Sequence, residues 1–266
     1  METNLPIVDC HCHVITKRLY NEYRERSHAT KSICIRTIGI LSQDMEANNS
    51  ESSFYELLAE KKELFGVECI EYGQDIKKQL NRIEKRKANC KKIVGLKLYT
   101  GYQHFYPNDP EIFEVYKFAE KNNLVVIFHG GDVWDPSNKA QIKYSHPVYV
   151  DEVATHFPKV KFVISHFAFP YVMETAMVVH KNSNVYTDIS GIIDTGILSE
   201  FFVHDIKKVL SYYPEIINKI MHGSDFCGNQ TPLDDTMVYE MFVRNYFDDK
   251  EAELIFHKNA EKLYGI

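Results

Sequence analysis

The chain has 266 residues, 44% of them hydrophobic, and a formal net charge of -6 at neutral pH. That size suits one large domain or two small ones, and the acidic balance argues against nucleic acid or an anionic membrane surface as a partner. The six cysteines (Cys10, Cys12, Cys34, Cys69, Cys90 and Cys227) form no Cys-x-x-Cys pair, no signal sequence precedes the first apolar run, and no apolar run reaches membrane-spanning length; a reduced, cytoplasmic protein without disulfides or membrane spans is expected.

Residues 5–10 read as a first strand, leading into Asp9-Cys10-His11-Cys12-His13. Side chains alternate along a strand, so Asp9, His11 and His13 are expected on one face and Cys10 and Cys12 on the other. Residues 33–38 form a second strand, followed by a polar loop over 41–53, and then an apolar helical stripe at Phe54, Leu57 and Leu58 with Ser52 and Ser53 as caps. Residues 64–70 are a third strand. The basic stretch 77–92 carries Leu80, Ile83 and Ala88 at helical spacing and reads as the solvated face of a helix. Strand four is 93–98. Ile112, Val115, Tyr116 and Ala119 mark a helix, and 124–128 a fifth strand. Pro147 and Pro170 open two further helices on either side of a sixth strand at 160–165. A weaker seventh strand at 185–187 and a short eighth at 220–222 complete the series.

Eight strands alternating with helices predict a parallel sheet, because parallel neighbours need crossover connections. At this length a closed (β/α)8 TIM barrel of the α/β class, one domain over 1–266, is the expected fold. A doubly wound open sheet is the alternative, but no Gly-x-Gly-x-x-Gly follows an early strand. A barrel gathers the C-terminal ends of its strands into one site. The titratable residues at those ends are His11 and His13, Lys97, His129, His166 and Asp225. Singly, each has an ordinary explanation: a hydrogen-bonded core histidine, a snorkelling lysine, an aspartate capping a turn. Together at the ends that a barrel would unite, they point to a metal site, since imidazole is the commonest protein metal ligand near neutral pH.

The chain resembles the metal-dependent amidohydrolase superfamily, in particular its amidohydrolase-related (family 2) branch. The likeness runs through Val8-Asp9-Cys10-His11-Cys12-His13, Gly95-Leu96-Lys97-Leu98-Tyr99-Thr100-Gly101-Tyr102-Gln103, His129-Gly130-Gly131 and Ser165-His166-Phe167. It continues in Tyr186-Thr187-Asp188-Ile189-Ser190, Gly223-Ser224-Asp225 and the closing His257-Lys258-Asn259-Ala260-Glu261-Lys262-Leu263-Tyr264-Gly265. The resemblance implies one divalent ion, zinc with manganese or iron as alternatives, held by His11, His13, His129 and Asp225. Asp225 would also take the water proton, and His166 would polarise the substrate carbonyl. A second design in the superfamily carbamylates the strand-four lysine to bridge two metals, and Lys97 stands at the matching position; the single-ion design is favoured here, with Lys97 as a positive charge toward substrate.

Three further residues are candidate substrate contacts: Tyr99, which shares the parity of Lys97; Arg36, as a carboxylate partner; and Trp134, in the loop after strand five. Packing, a surface salt bridge and cover for the barrel edge are their respective ordinary roles. Asp9 is expected to hydrogen-bond a ligand imidazole, and His222 and His146 are read as structural. The leading expectation is hydrolysis of a small amide, lactone or ester by metal-activated water. The alternatives are non-oxidative decarboxylation of an aromatic or unsaturated acid, and a non-catalytic metabolite-binding barrel. The expected partner is a small-molecule substrate, and a homodimer, common among such barrels, is kept open.

Overall fold

The computed structural model describes residues 5–37, 51–133, 139–193, 197–228 and 236–266. Its strands are β1 Val8–Cys12, β2 Lys31–Ile35, β3 Leu64–Ile70, β4 Ile93–Leu98, β5 Val125–Phe128, β6 Lys161–Ile164, β7 Val185–Asp188 and β8 Ile220–Met221. They pair in parallel and in sequence order. Backbone hydrogen bonds return β8 to β1: Cys10 N–H to His222 O at 3.0 Å, Asp225 N–H to His11 O at 2.7 Å and His13 N–H to Phe226 O at 2.7 Å. The fold is therefore a single-domain (β/α)8 barrel, as the alternating pattern predicts.

The helices fall where the apolar stripes place them. Helix Ile76–Asn89 is capped by Asp75, which accepts Lys78 N–H at 2.9 Å, and it buries Leu80 and Ile83 while its lysines face water. Helix Phe113–Asn122 buries Val115, Tyr116 and Ala119. Helix Glu51–Glu60 begins before Ser52 and Ser53, which lie in its first turn instead of capping it; most of the expected 41–53 loop is outside the described residues. Among the described residues no helix is long and apolar enough to cross a membrane.

Two apolar layers result. The outer one joins the helices to one face of the strands. The inner one combines Val8, Cys10, Ile33, Ile35, Val67, Ile127, Val163 and Met221 with Ala260, Leu263 and Tyr264 from helix Asn259–Tyr264. Lys31, at the start of β2, binds Glu261, and Lys161, at the start of β6, donates to Leu263 O at 3.0 Å. That helix therefore closes the N-terminal end of the barrel and leaves the C-terminal end as the mouth.

β1 departs from simple alternation. Its pairing with β2 shifts between Asp9 and Cys12, a bulge that reverses the parity of the residues beyond it. Cys10 packs inside the barrel, whereas Cys12 packs outside it and lies 3.8 Å from Cys34. The expected shared cysteine face is thus corrected, and so is the role of Asp9. Its carboxylate turns outward, accepting Tyr23 Oη–H at 2.8 Å and Ser224 Oγ–H at 2.6 Å, plus the backbone N–H groups of Ser224 and His11 at 3.0 and 3.2 Å. It pins β1 to the end of β8 and to helix Lys17–Arg26 and touches no ligand imidazole ring. Asp9→Ala orphans these donors in a dry site and should cost about 3 kcal/mol of stability, readable as a lower midpoint in urea unfolding; an unchanged midpoint would contradict this role.

Candidate metal centre

Beyond the bulge His11 and His13 both point into the mouth. Asp225 meets them there: its Oδ1 lies 3.3 Å from His11 Nε2 and 3.2 Å from His13 Nε2. The backbone at Asp225 is left-handed (φ 58°), which Asp tolerates better than most residues. His166 enters from a similar turn after β6 (φ 61°), its ring centroid 4.8 Å from that of His11. Ligand atoms of His11, His166 and Asp225 all lie within 4.8 Å of one another.

The outward nitrogen of each imidazole is held by a fixed acceptor. His13 Nδ1–H donates to Ile35 O at 2.8 Å and His166 Nδ1–H to Ser190 O at 2.9 Å. His11 Nδ1 faces Asp188 Oδ2 at 3.3 Å and Ser190 Oγ at 3.0 Å. These partners set the tautomers, so each Nε2 presents its lone pair to the mouth. Asp188 organises the group: its Oδ1 also accepts His166 N–H at 2.9 Å, Ser190 N–H at 3.1 Å and Ser190 Oγ–H at 2.5 Å. Asp188 and Ser190 were absent from the expected site residues. The strand-end rule would have found Asp188, the residue that ends β7, had the weak seventh strand been read one residue further.

Electrostatics match this arrangement. Burial and the Lys97 ammonium lower His11 to about 3, so it is neutral. Burial likewise lowers His129 and His166. Burial alone would raise the Asp225 carboxyl, but His166, His13 and His11 around it outweigh burial and hold it well below the usual carboxylate range. Burial also lowers the Lys97 amine to about 8, with Asp188 and Asp225 limiting the fall. Lys97 Nζ donates to Ser165 Oγ at 2.9 Å and lies 3.5 Å from His11 Nε2.

The other expected site residues divide. His129 lines the mouth, its ring 4.8 Å from that of His166, but its Nε2–H donates to Asp132 O at 2.7 Å. Tyr99 is buried, its ring centroid 5.3 Å from Lys97 Nζ. Arg36 is not brought to the cluster: its guanidinium turns outward to Glu68 at 2.7 Å, a carboxylate that also receives Tyr55 and Arg86. The expected carboxylate-binding Arg36 is therefore corrected to a buried ion pair between the barrel and its helices. Trp134 lies outside the described residues. His222 packs outside the barrel, 5.6 Å from the Phe256 ring, as a structural residue would.

A divalent cation fits these residues. Imidazole nitrogens and a carboxylate oxygen converge at 3.2–3.3 Å, close to the spacing, about 3.3–3.4 Å, of two donors across a tetrahedral ion with bonds of about 2.0–2.1 Å. Gly191 (φ +68°) leaves room beside them: a Cβ there would stand 2.8 Å from Asp225 Oδ2 and 3.0 Å from His166 Nδ1.

The family model described as Amidohydrolase matches residues 8–266. The chain belongs to this amidohydrolase family. Similar solved structures include an uncharacterised TIM-barrel protein of Bordetella bronchiseptica (TM-score 0.73, 18% identity, covering 98% of this chain and 99% of that one). A probable 2-pyrone-4,6-dicarboxylic acid hydrolase of Acinetobacter baumannii, with citric acid bound, gives a TM-score of 0.67 at 16% identity, over 98% of this chain and 100% of that one. The 5-carboxyvanillate decarboxylase of Sphingomonas paucimobilis gives 0.62 at 11% identity, over 98% and 99%. At such identities the likeness is one of fold. No curated protein matches the chain in sequence.

Proposed function

We propose that this amidohydrolase is a metal-dependent hydrolase of a small amide, lactone or ester. The observation that carries the reading is the convergence of imidazole nitrogens on the Asp225 carboxylate. His11, His13 and Asp225 would hold one divalent ion, zinc by the donor set, with manganese or iron as alternatives. His166 would be the fourth protein ligand, because its ligand nitrogen lies within 4.8 Å of the ligand atoms of His11 and Asp225; His129, whose Nε2–H donates to Asp132 O, is the alternative through its Nδ1. A bound ion supplies Lewis-acid chemistry, lowering the pKa of a water toward 7 and polarising a carbonyl.

The chain's own residues do the rest. Asp225, 31% exposed, keeps one carboxylate oxygen toward the mouth, where it can take a proton from the attacking water and pass it to the leaving amine or alcohol. The Lys97 head, steadied by Ser165, offers positive charge to a substrate oxygen that gains charge on attack. Water adds across the acyl bond, giving an acid and an amine or alcohol.

Decarboxylation is the second reading, supported by the 5-carboxyvanillate decarboxylase among the structural neighbours. Carbon dioxide release from hydroxybenzoate-type acids, without acid formation from lactones or esters, would replace hydrolysis with it. Elemental analysis of protein purified in bicarbonate should give about one zinc or manganese per chain, and prolonged chelation should abolish activity until the ion is returned. Two ions per chain would instead make Lys97 a carbamylated bridge, and none, with chelator-insensitive activity, would end the metal-dependent reading.

A further inference from the structure

We propose that the wall of the mouth formed by β2, β3 and β4 is a subsite for a neutral, hydrogen-bonding part of the substrate, so that this enzyme takes substrates without a second carboxylate. The proposal rests on the metal-dependent reading of the centre. Thr37, Cys69 and Tyr99 continue the inward parity of Ile33 and Ile35, of Val67, and of Lys97. Cys69 and Tyr99 pack together, apart from both apolar layers, and the Tyr99 ring leads to the centre, stacked 6.3 Å from His129. The Cys69 thiol is spent on Thr37 O at 3.0 Å. The Thr37 hydroxyl, on a residue only 5% exposed, has no hydrogen-bond partner among the described residues. A buried hydroxyl left unmatched costs free energy, and a polar substrate atom would satisfy it.

Charge decides what that atom belongs to. The cation nearest in sequence, Arg36, is committed to Glu68 on the outside of the barrel. Among the described residues Lys97 is the only lysine or arginine that touches the histidine cluster, and it stands at the metal end. The sequence outside the described residues (1–4, 38–50, 134–138, 194–196 and 229–235) contains no lysine, arginine or histidine. A carboxylate against Thr37 would be desolvated without a counter-ion, which binding penalises heavily, whereas an amide or carbonyl pairs with the hydroxyl. One anionic group can be met at the Lys97 end and none at the Thr37 end.

Hydroxamates anchor on zinc whatever the natural substrate, so they read the subsite directly. Dissociation constants of the zinc-loaded protein would be measured for benzohydroxamate and for its carbamoyl and carboxy derivatives, substituted at the meta or para position. The two derivatives match in shape and differ in charge. The carbamoyl compound should bind at least tenfold more tightly than the carboxy compound. Thr37→Val, which keeps the side-chain shape, should remove several-fold of the carbamoyl affinity and leave benzohydroxamate unchanged. A carboxy compound that binds as tightly as its carbamoyl partner overturns the proposal and leaves the metal reading standing. Failure of all three to bind overturns both.

Discussion

Asp225→Asn should lower turnover by roughly 10²- to 10⁴-fold, the range for losing a positioned proton acceptor, and should weaken metal retention as well. Asn has the same shape and, like Asp, tolerates the left-handed backbone found at this position (φ 58°), so the exchange isolates charge from strain. What disappears is the negative ligand on which His11 and His13 converge. The fold should survive, because the backbone anchor of this residue, its N–H to His11 O, does not depend on the side chain. Metal content after gel filtration, a melting curve and the rate on any substrate found by screening are read together. A variant that keeps its ion and near-normal rate would falsify the assignment of Asp225.

Asp188→Ala should be the most damaging single change to the centre without touching a proposed ligand position. It strips the acceptor from His11 Nδ1, the His166 backbone N–H and both donors of Ser190, all in a site 1% exposed. Breaking such a buried network costs about 3–5 kcal/mol, and loss of the partner behind a ligating histidine typically costs about 10–100-fold in metal affinity. The pH dependence should change too. Burial would raise the Asp188 carboxyl, but His11 and His166 hold it below its ordinary 3.8 in the folded protein. Its stabilisation is thus complete above about pH 4 and fades as pH falls toward the depressed folded value. Wild-type protein should lose stability on acidification through that window, and Asp188→Ala should lose less. Equal acid sensitivity would assign the effect to other carboxylates.

Much of this architecture is legible in the sequence because barrel strands obey a simple rule. β3 and β4 lie where their apolar runs predict, and the other strands differ only at their ends. The strand-end residues then gather as the fold requires. The bulge in β1 was hidden because nothing in the spacing of Asp9, His11 and His13 distinguishes a shifted register from plain alternation. Arg36 misled because its partner Glu68 lies on the next strand, and pairing across strands cannot be read from one sequence. Asp188 escaped because β7 carries too few apolar residues to show where it ends.

The helix Asn259–Tyr264 that closes the N-terminal end of the barrel has a consequence for how the protein comes into being. Its Ala260, Leu263 and Tyr264 are made some 250 residues after Val8 and Cys10, yet they share one cluster with them. The floor of the barrel is therefore laid last. During synthesis the interior faces of the strands must wait, exposed to solvent and chaperones, until that helix leaves the ribosome. The centre waits too, since His11 and His13 are made first and Asp225 is added only with the end of β8. Translation that stalls before residue 225 should therefore yield a polypeptide that cannot assemble this centre.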